Sequence, residues 1–271
     1  MKVTLNHFCK LLFCVALATG TAQAADPLVD VDWVKSNLDN PDVVFLDVRG
    51  GLAGKSKTDF LRAHIPGAVY TNYLKDGWRS KDAGGTPGQL SSPEKLEALI
   101  GGLGIGNDTH VVIVPNGGKA LDMGTGTRIY WTFKVLGHDN VSLLNGGMVA
   151  YTKEVDKETK KPINPLEKGA AKVAAKTFKA NLQTDMLITK ADVVKAQEAG
   201  SLIVDHRPHS QYVGINKHGK AKKAGTIPGA LNLPENWITQ NGGGSFRDKA
   251  SLAKIIFSRQ RQCHRRSDQF L

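Results

Sequence analysis

Two Asp-x-Arg triplets and one thiol are the residues of this chain whose types and spacing could do chemistry. The triplets are Asp47-Val48-Arg49 and Asp205-His206-Arg207, and the thiol is Cys263. An arginine two residues after an aspartate can close a bidentate ion pair, or turn its fork outward to grip an anion. Cys263 has Arg261, Arg265 and Arg266 close by in sequence, and such cations lower a thiol pKa and make a nucleophile. Against that role, no strand precedes Cys263 and no glycine-rich loop follows it. His206 and His209 flank Arg207 as possible hydrogen-bond donors. Cys263 and His264, being adjacent, cannot easily chelate one ion, and no other grouping has metal-ligand spacing. No metal or other cofactor is expected.

The elements that must position these residues occur twice. Val43 to Arg49 is an apolar run ending in Asp-x-Arg, followed by Ile65-Pro66-Gly67-Ala68; Leu202 to Arg207 and Ile227-Pro228-Gly229-Ala230 repeat the arrangement. So long a recurrence implies a duplicated unit. In the first copy Asp30 or Asp32 caps a short helix, and strands are expected at Val43 to Asp47, near Ala68 to Tyr70, at His110 to Val114 and at Val141 to Leu144. Ser92-Pro93 opens a helix that ends by Gly101 to Gly106, and Thr127 to Leu136 has helical periodicity. Apolar runs without alternation suit parallel strands covered on both faces. The fold class is therefore α/β: tandem units, each a mostly parallel sheet with helices on both faces.

Between the copies, Thr152 to Ala180 is rich in lysine and proline and reads as an exposed linker. The second copy opens with a Thr189-capped helix, a strand at Leu202 to Asp205, and a basic insert at Lys217 to Lys223. Ser251 to Phe257 matches the helix after Ser92. Pro66 precedes the loop residue Pro115 by 49 positions, and the same offset from Pro228 falls beyond Leu271. The second copy is accordingly expected to be incomplete, truncated or frame-altered after about 257. The resulting division is 1–24 leader, 26–151 first unit, 152–180 linker and 181–271 second unit.

Lys2 and Lys10, the apolar run from Leu11 and Ala22-Gln23-Ala24 form an export leader, too short to span a bilayer. A periplasmic location is expected, with no membrane attachment after cleavage. Loss of the leader removes Cys9 and Cys14 and leaves Cys263 without a disulfide partner. The formal charge of +11 favours anionic small molecules as readily as nucleic acid. The arginine-rich end has no interleaved aromatics, so nucleic acid is not expected. Gly102-Leu103-Gly104-Ile105-Gly106 precedes a strand where a dinucleotide fingerprint should follow one, and Gly117-Gly118-Lys119-Ala120 lacks the hydroxyl of a phosphate loop.

The paired Asp-x-Arg and Ile-Pro-Gly-Ala motifs, with Leu136 to Val141 (LGHDNV), Leu144 to Met148 (LNGGM) and Asn232 to Trp237 (NLPENW), resemble the rhodanese family, and within it the secreted two-domain thiosulfate sulfurtransferases. The resemblance spans about Asp30 to Phe257. It implies a transferase that takes sulfane sulfur from a small anionic donor onto a cysteine and hands it to an acceptor such as cyanide. That cysteine should head the loop after the central strand, at a helix N-terminus, where inward N–H groups stabilise thiolate and persulfide. In the first copy this loop reads Pro115-Asn116-Gly117-Gly118-Lys119-Ala120-Leu121-Asp122, without cysteine, like the family's inactive half. Arg207 matches the family's arginine, as donor-binding group or as a loop-holding ion pair. The second arginine, four residues on in several relatives, is Gln211 here, which favours thiosulfate over 3-mercaptopyruvate. The same anion-friendly cleft would also serve a non-catalytic binding module.

Overall fold

The computed structural model describes residues 24–267, with side chains to Ser258. Apart from Ala24, the expected leader lies outside the described residues. Asp30 accepts from the Trp33 backbone N–H at 2.8 Å and so starts helix α1, Val31–Ser36, after the short strand β1, Leu28–Val29. Strand β2, Val43–Asp47, leads to helix α2, Lys57–Arg62, and strand β3, Val69–Tyr70. An antiparallel hairpin of β4, Arg79–Lys81, and β5, Pro87–Leu90, precedes helix α3, Pro93–Gly102. Then come β6, His110–Val114; α4, Ala120–Val135; β7, Val141–Leu144; and α5, Gly147–Tyr151.

The five longer-range strands form one parallel sheet in the order β1-β7-β6-β2-β3. Its central strands are largely apolar, with only Asp47, His110 and Ser142 polar, because each face meets a helix layer. Val111 and Ile113 pack with Leu96, Ile100, Met123, Ile129 and Phe133 from α3 and α4. Val112 and Val114 point the other way, toward Val34, Phe60, Met148 and Tyr151. Each fully buried side chain of this size contributes about 1.5–3 kcal/mol, so most of the apolar burial of the chain lies in these two opposed layers.

The stretch that reads as exposed linker is strapped to the first unit. Exposure holds for 153–161, but Asn164 is buried with its amide on the Tyr151 carbonyl at 2.6 Å, and Glu167 pairs its backbone with His64. Farther on, the Lys176 N–H donates to the Gly101 carbonyl, and Phe178 enters the core beside Phe133. Four attachments among many lysines hold a segment whose average composition is polar.

The second copy is thinner. Thr189 and Asp192 form a reciprocal cap at the start of α6, Lys190–Glu198, which has no buried residue. Strand β8, Val204–Asp205, is followed by α7, His209–Tyr212, and β9, Leu231–Asn232; β8 and β9 make a two-stranded parallel sheet. The strand expected over Leu202 to Asp205 shrinks to two residues because β9 alone lies beside it, whereas β2 is flanked by β3 and β6. Helix α8, Lys249–Ser267, runs without interruption past Phe257, so the change of composition there makes no break in the backbone. Ile256 and Phe257 on it are exposed. No helix of the described residues is long and apolar enough to cross a membrane.

Candidate functional site

Both Asp-x-Arg triplets sit at the carboxyl end of a strand and close the same ring. Arg49 donates from its backbone N–H and its Nε to Asp47, and from Nη2 to the Ala63 carbonyl at 2.7 Å, the residue that ends α2. Arg207 repeats this on Asp205 and reaches the Gly225 carbonyl at 2.9 Å. Each arginine thus ties its strand to the segment leading into Ile-Pro-Gly. The Asp205 carboxylate also accepts from Thr226 Oγ1 at 2.6 Å, and the Asn232 amide donates to the Asp205 and Arg207 carbonyls.

The two rings differ in what surrounds them. The Arg49 side chain is 8% exposed and its Asp47 partner 1%, but Arg207 is 41% exposed. Burial pushes the Asp47 carboxyl up, against the downward pull of Arg49. At Asp205 the hydrogen bonds from Arg207 win over burial, and the carboxyl is held well below the usual carboxylate range. Arg207 borders a cavity of about 650 Å3 shared with Val204, His206, Lys223, Thr226 and Ile227. Two cationic side chains on a half-open wall can attract a small anion. The guanidinium keeps its ion pair while doing so, so it can act as a positioning and a field-setting group together.

His206 and His209 are less free than loop histidines usually are: their Nδ1 atoms contact the Leu233 carbonyl at 2.9 Å and Asn232 Oδ1 at 3.0 Å. Both hold β9 against the Arg207 loop. Gln211 lies on α7, which begins just beyond this loop. Cys263 falls inside α8. Its backbone is therefore helical, at neither a strand end nor a glycine-rich loop.

The loop after the central strand of the first copy is the one in which the family resemblance leads one to expect a thiol. β6 ends at Val114, and α4 begins at Ala120 after a left-handed Gly117. Asp122, in the first turn of α4, folds back over the loop and accepts from Gly118 N–H and Asn116 Nδ2, each at 2.9 Å. It is 4% exposed. An internal carboxylate thus takes up the Gly118 N–H just ahead of α4 and the Asn116 amide. Asp122 closes the loop, a role that sequence reading missed; a carboxylate three residues after a Gly-Lys step at a helix start was the signal available. Among the described residues no group of three or more His, Cys, Asp or Glu could hold a metal.

Comparison with known proteins agrees with this architecture. Residues 30–154 match the model of the rhodanese-like domain. The chain is 31% identical over 227 residues to the thiosulfate sulfurtransferase of Bos taurus, covering 79% of this chain and 71% of that one. It is 26% identical over 237 residues to the 3-mercaptopyruvate sulfurtransferase of Escherichia coli, covering 85% and 78%. The crystal structure of a 3-mercaptopyruvate sulfotransferase from Escherichia coli superposes with a TM-score of 0.70 at 25% identity, over 87% of this chain and 84% of that one. With a doubled strand-Asp-x-Arg unit, a parallel sheet clad on both faces and these relatives, the chain belongs to the rhodanese family of sulfurtransferases.

Proposed function

We propose that this chain is an exported thiosulfate-type rhodanese whose described residues retain a donor-binding wall but no sulfur-carrying loop. In the reaction of this class, a cysteine thiolate attacks the outer sulfur of thiosulfate, the S–S bond breaks and sulfite leaves. An acceptor such as cyanide then takes the outer sulfur from the persulfide and returns the thiolate. The observation that carries the reading is the first-copy loop, where Asn116, Gly118 and Asp122 bond one another and no thiol is present. Gln211, at the place where the family resemblance implies a second arginine for 3-mercaptopyruvate, supports thiosulfate as the donor. The same reading divides the chain into a leader at 1–24, units at 26–151 and 181–271, and a linker at 152–180, with departure from the family pattern after about Phe257. A second reading, a non-catalytic anion-binding module, is favoured by the cavity at Arg207 and Lys223.

The test is thiocyanate production from thiosulfate and cyanide by the mature protein and by Cys263→Ser. Negligible turnover in both is expected. Robust turnover abolished by Cys263→Ser overturns the reading and makes that thiol the carrier. Calorimetric binding of thiosulfate, weakened by Arg207→Gln without turnover in either protein, selects the binding module.

A further inference from the structure

The Leu144-Asn145-Gly146-Gly147-Met148 motif has no part in the chemistry above, yet it touches the second copy. Residues 238–247 form a small closed loop: Thr239 bridges Phe246, Gln240 N–H donates to the Ser245 carbonyl, and Arg247 N–H donates to the Ile238 carbonyl. This loop lies on the first copy. The Phe246 N–H donates to Asn145 Oδ1 at 2.8 Å, and the Phe246 ring packs against the first-copy core. Gly244 sits so close to Gly117 that an added Cβ would land on the Gly117 carbonyl. Gly117, in turn, is pressed onto Gly146, and Met148 and Val149 N–H groups hold the Pro115 and Asn116 carbonyls. Backbone therefore meets backbone across the two copies, a fit that side chains at these positions would prevent.

We propose that the first copy's cysteine-free loop, together with Asn145, is a docking socket for the second copy's Gly244-Ser245-Phe246, and that this clamp fixes residues 238–247 on the first unit. The socket reads an N–H group through the Asn145 carboxamide, a flat glycine backbone through Gly117, and an aromatic ring through the core edge. A loop that carries no nucleophile can be closed over in this way, since nothing needs to enter it. The inference is independent of which sulfur donor the protein uses.

Hydrogen exchange at single-amide resolution on the full mature chain tests it. Asn145→Ala should lower protection of the Phe246 amide at least tenfold, while Asn145→Asp, which keeps the acceptor, retains most of it. Gly244→Ala should release 238–247 in the same way, and Gly219→Ala, where a Cβ meets nothing within 4 Å, should not. In every variant the amides of Val111 to Val114 should stay protected. Unchanged Phe246 protection in both Asn145→Ala and Gly244→Ala overturns the proposal. So does an equal loss across Val111 to Val114, which would make these residues supports of the first unit's fold.

Discussion

The Asp47–Arg49 and Asp205–Arg207 rings have nearly the same hydrogen bonds and unlike surroundings. The first is sealed between two helix layers at the end of a strand with neighbours on both sides. The second lies on a two-stranded sheet with one wall open to a cavity. A motif duplicated in sequence therefore serves as a rivet in one copy and as a half-exposed cationic wall in the other. The bonds a motif makes are local, and the cost of breaking them depends on the layers packed over it.

The sharpest way to break this comparison is to remove each arginine. Arg49→Ala leaves the Asp47 carboxylate buried without its partner and should cost about 3–5 kcal/mol. Arg207→Ala should cost less, about 1–2 kcal/mol, because solvent screens the open arginine end of the pair and Thr226 still donates to Asp205. Urea unfolding followed by the fluorescence of Trp33, Trp78 and Trp131, all in the first copy, alongside exchange at Val204 and Asp205, separates the two effects. Similar losses for both would mean that the second ring is sealed in solution.

Truncation of a buried isoleucine in each copy comes next. Ile113→Ala opens a cavity in a fully buried strand and should cost about 2–5 kcal/mol. Ile203→Ala, at a half-buried position beside the cavity, should cost less than half as much, read from exchange at Val204 and Asp205.

Trypsin should then separate the insert of the second copy from the strapped part of the linker. The exposed insert at Lys217 to Lys223 should be cut at least about tenfold faster than Lys176 or Lys179, since the latter lie in the strap whose backbone bonds Gly101 and the Glu97 carboxylate. Mass spectrometry of early fragments checks this, and early cleavage at Lys176 would show the strap to be loose.

Acid should produce the smallest effect, with opposite sign in the two copies. Asp205 is held below its unfolded pKa, so its contribution is complete at neutral pH and fades as pH falls below about 4. Asp47 is held above its unfolded value, so its ionisation opposes folding at neutral pH and that opposition lifts in acid. Between pH 6 and 3.5, exchange corrected for intrinsic rates should show Val204 and Asp205 losing under about 1 kcal/mol, with no parallel loss at Leu46 and Asp47.

What could be read in the chain followed from how much of each signal was local. β2, β6 and β7 were legible residue for residue because an apolar run covered on both faces looks the same in sequence as in space. Thr189 was legible as a cap, and Asp30 as one of two candidates beside Asp32, because a cap bonds within its own turn. The first seven residues of α4 were not: Gly124, Thr125 and Gly126 weaken the helix signal, and Gly126 is there to let the helix approach Leu143. β1 was also missed, since two residues become a strand only by pairing with β7, more than a hundred positions away.

By itself the sequence determined that the unit is duplicated, that the strands at the centre of its main sheet are parallel and buried, and that the first-copy loop carries no thiol, since periodicity, motif spacing and residue identity are properties of the chain alone. Tertiary structure decided that Arg49 is sealed and Arg207 half open, that Asp122 closes the cysteine-free loop, and that a lysine-rich linker is strapped down by Asn164 and Phe178. Each of those outcomes depends on which surface arrives from elsewhere in the chain, and burial, unlike an Asp-x-Arg triplet, is not encoded at any single position.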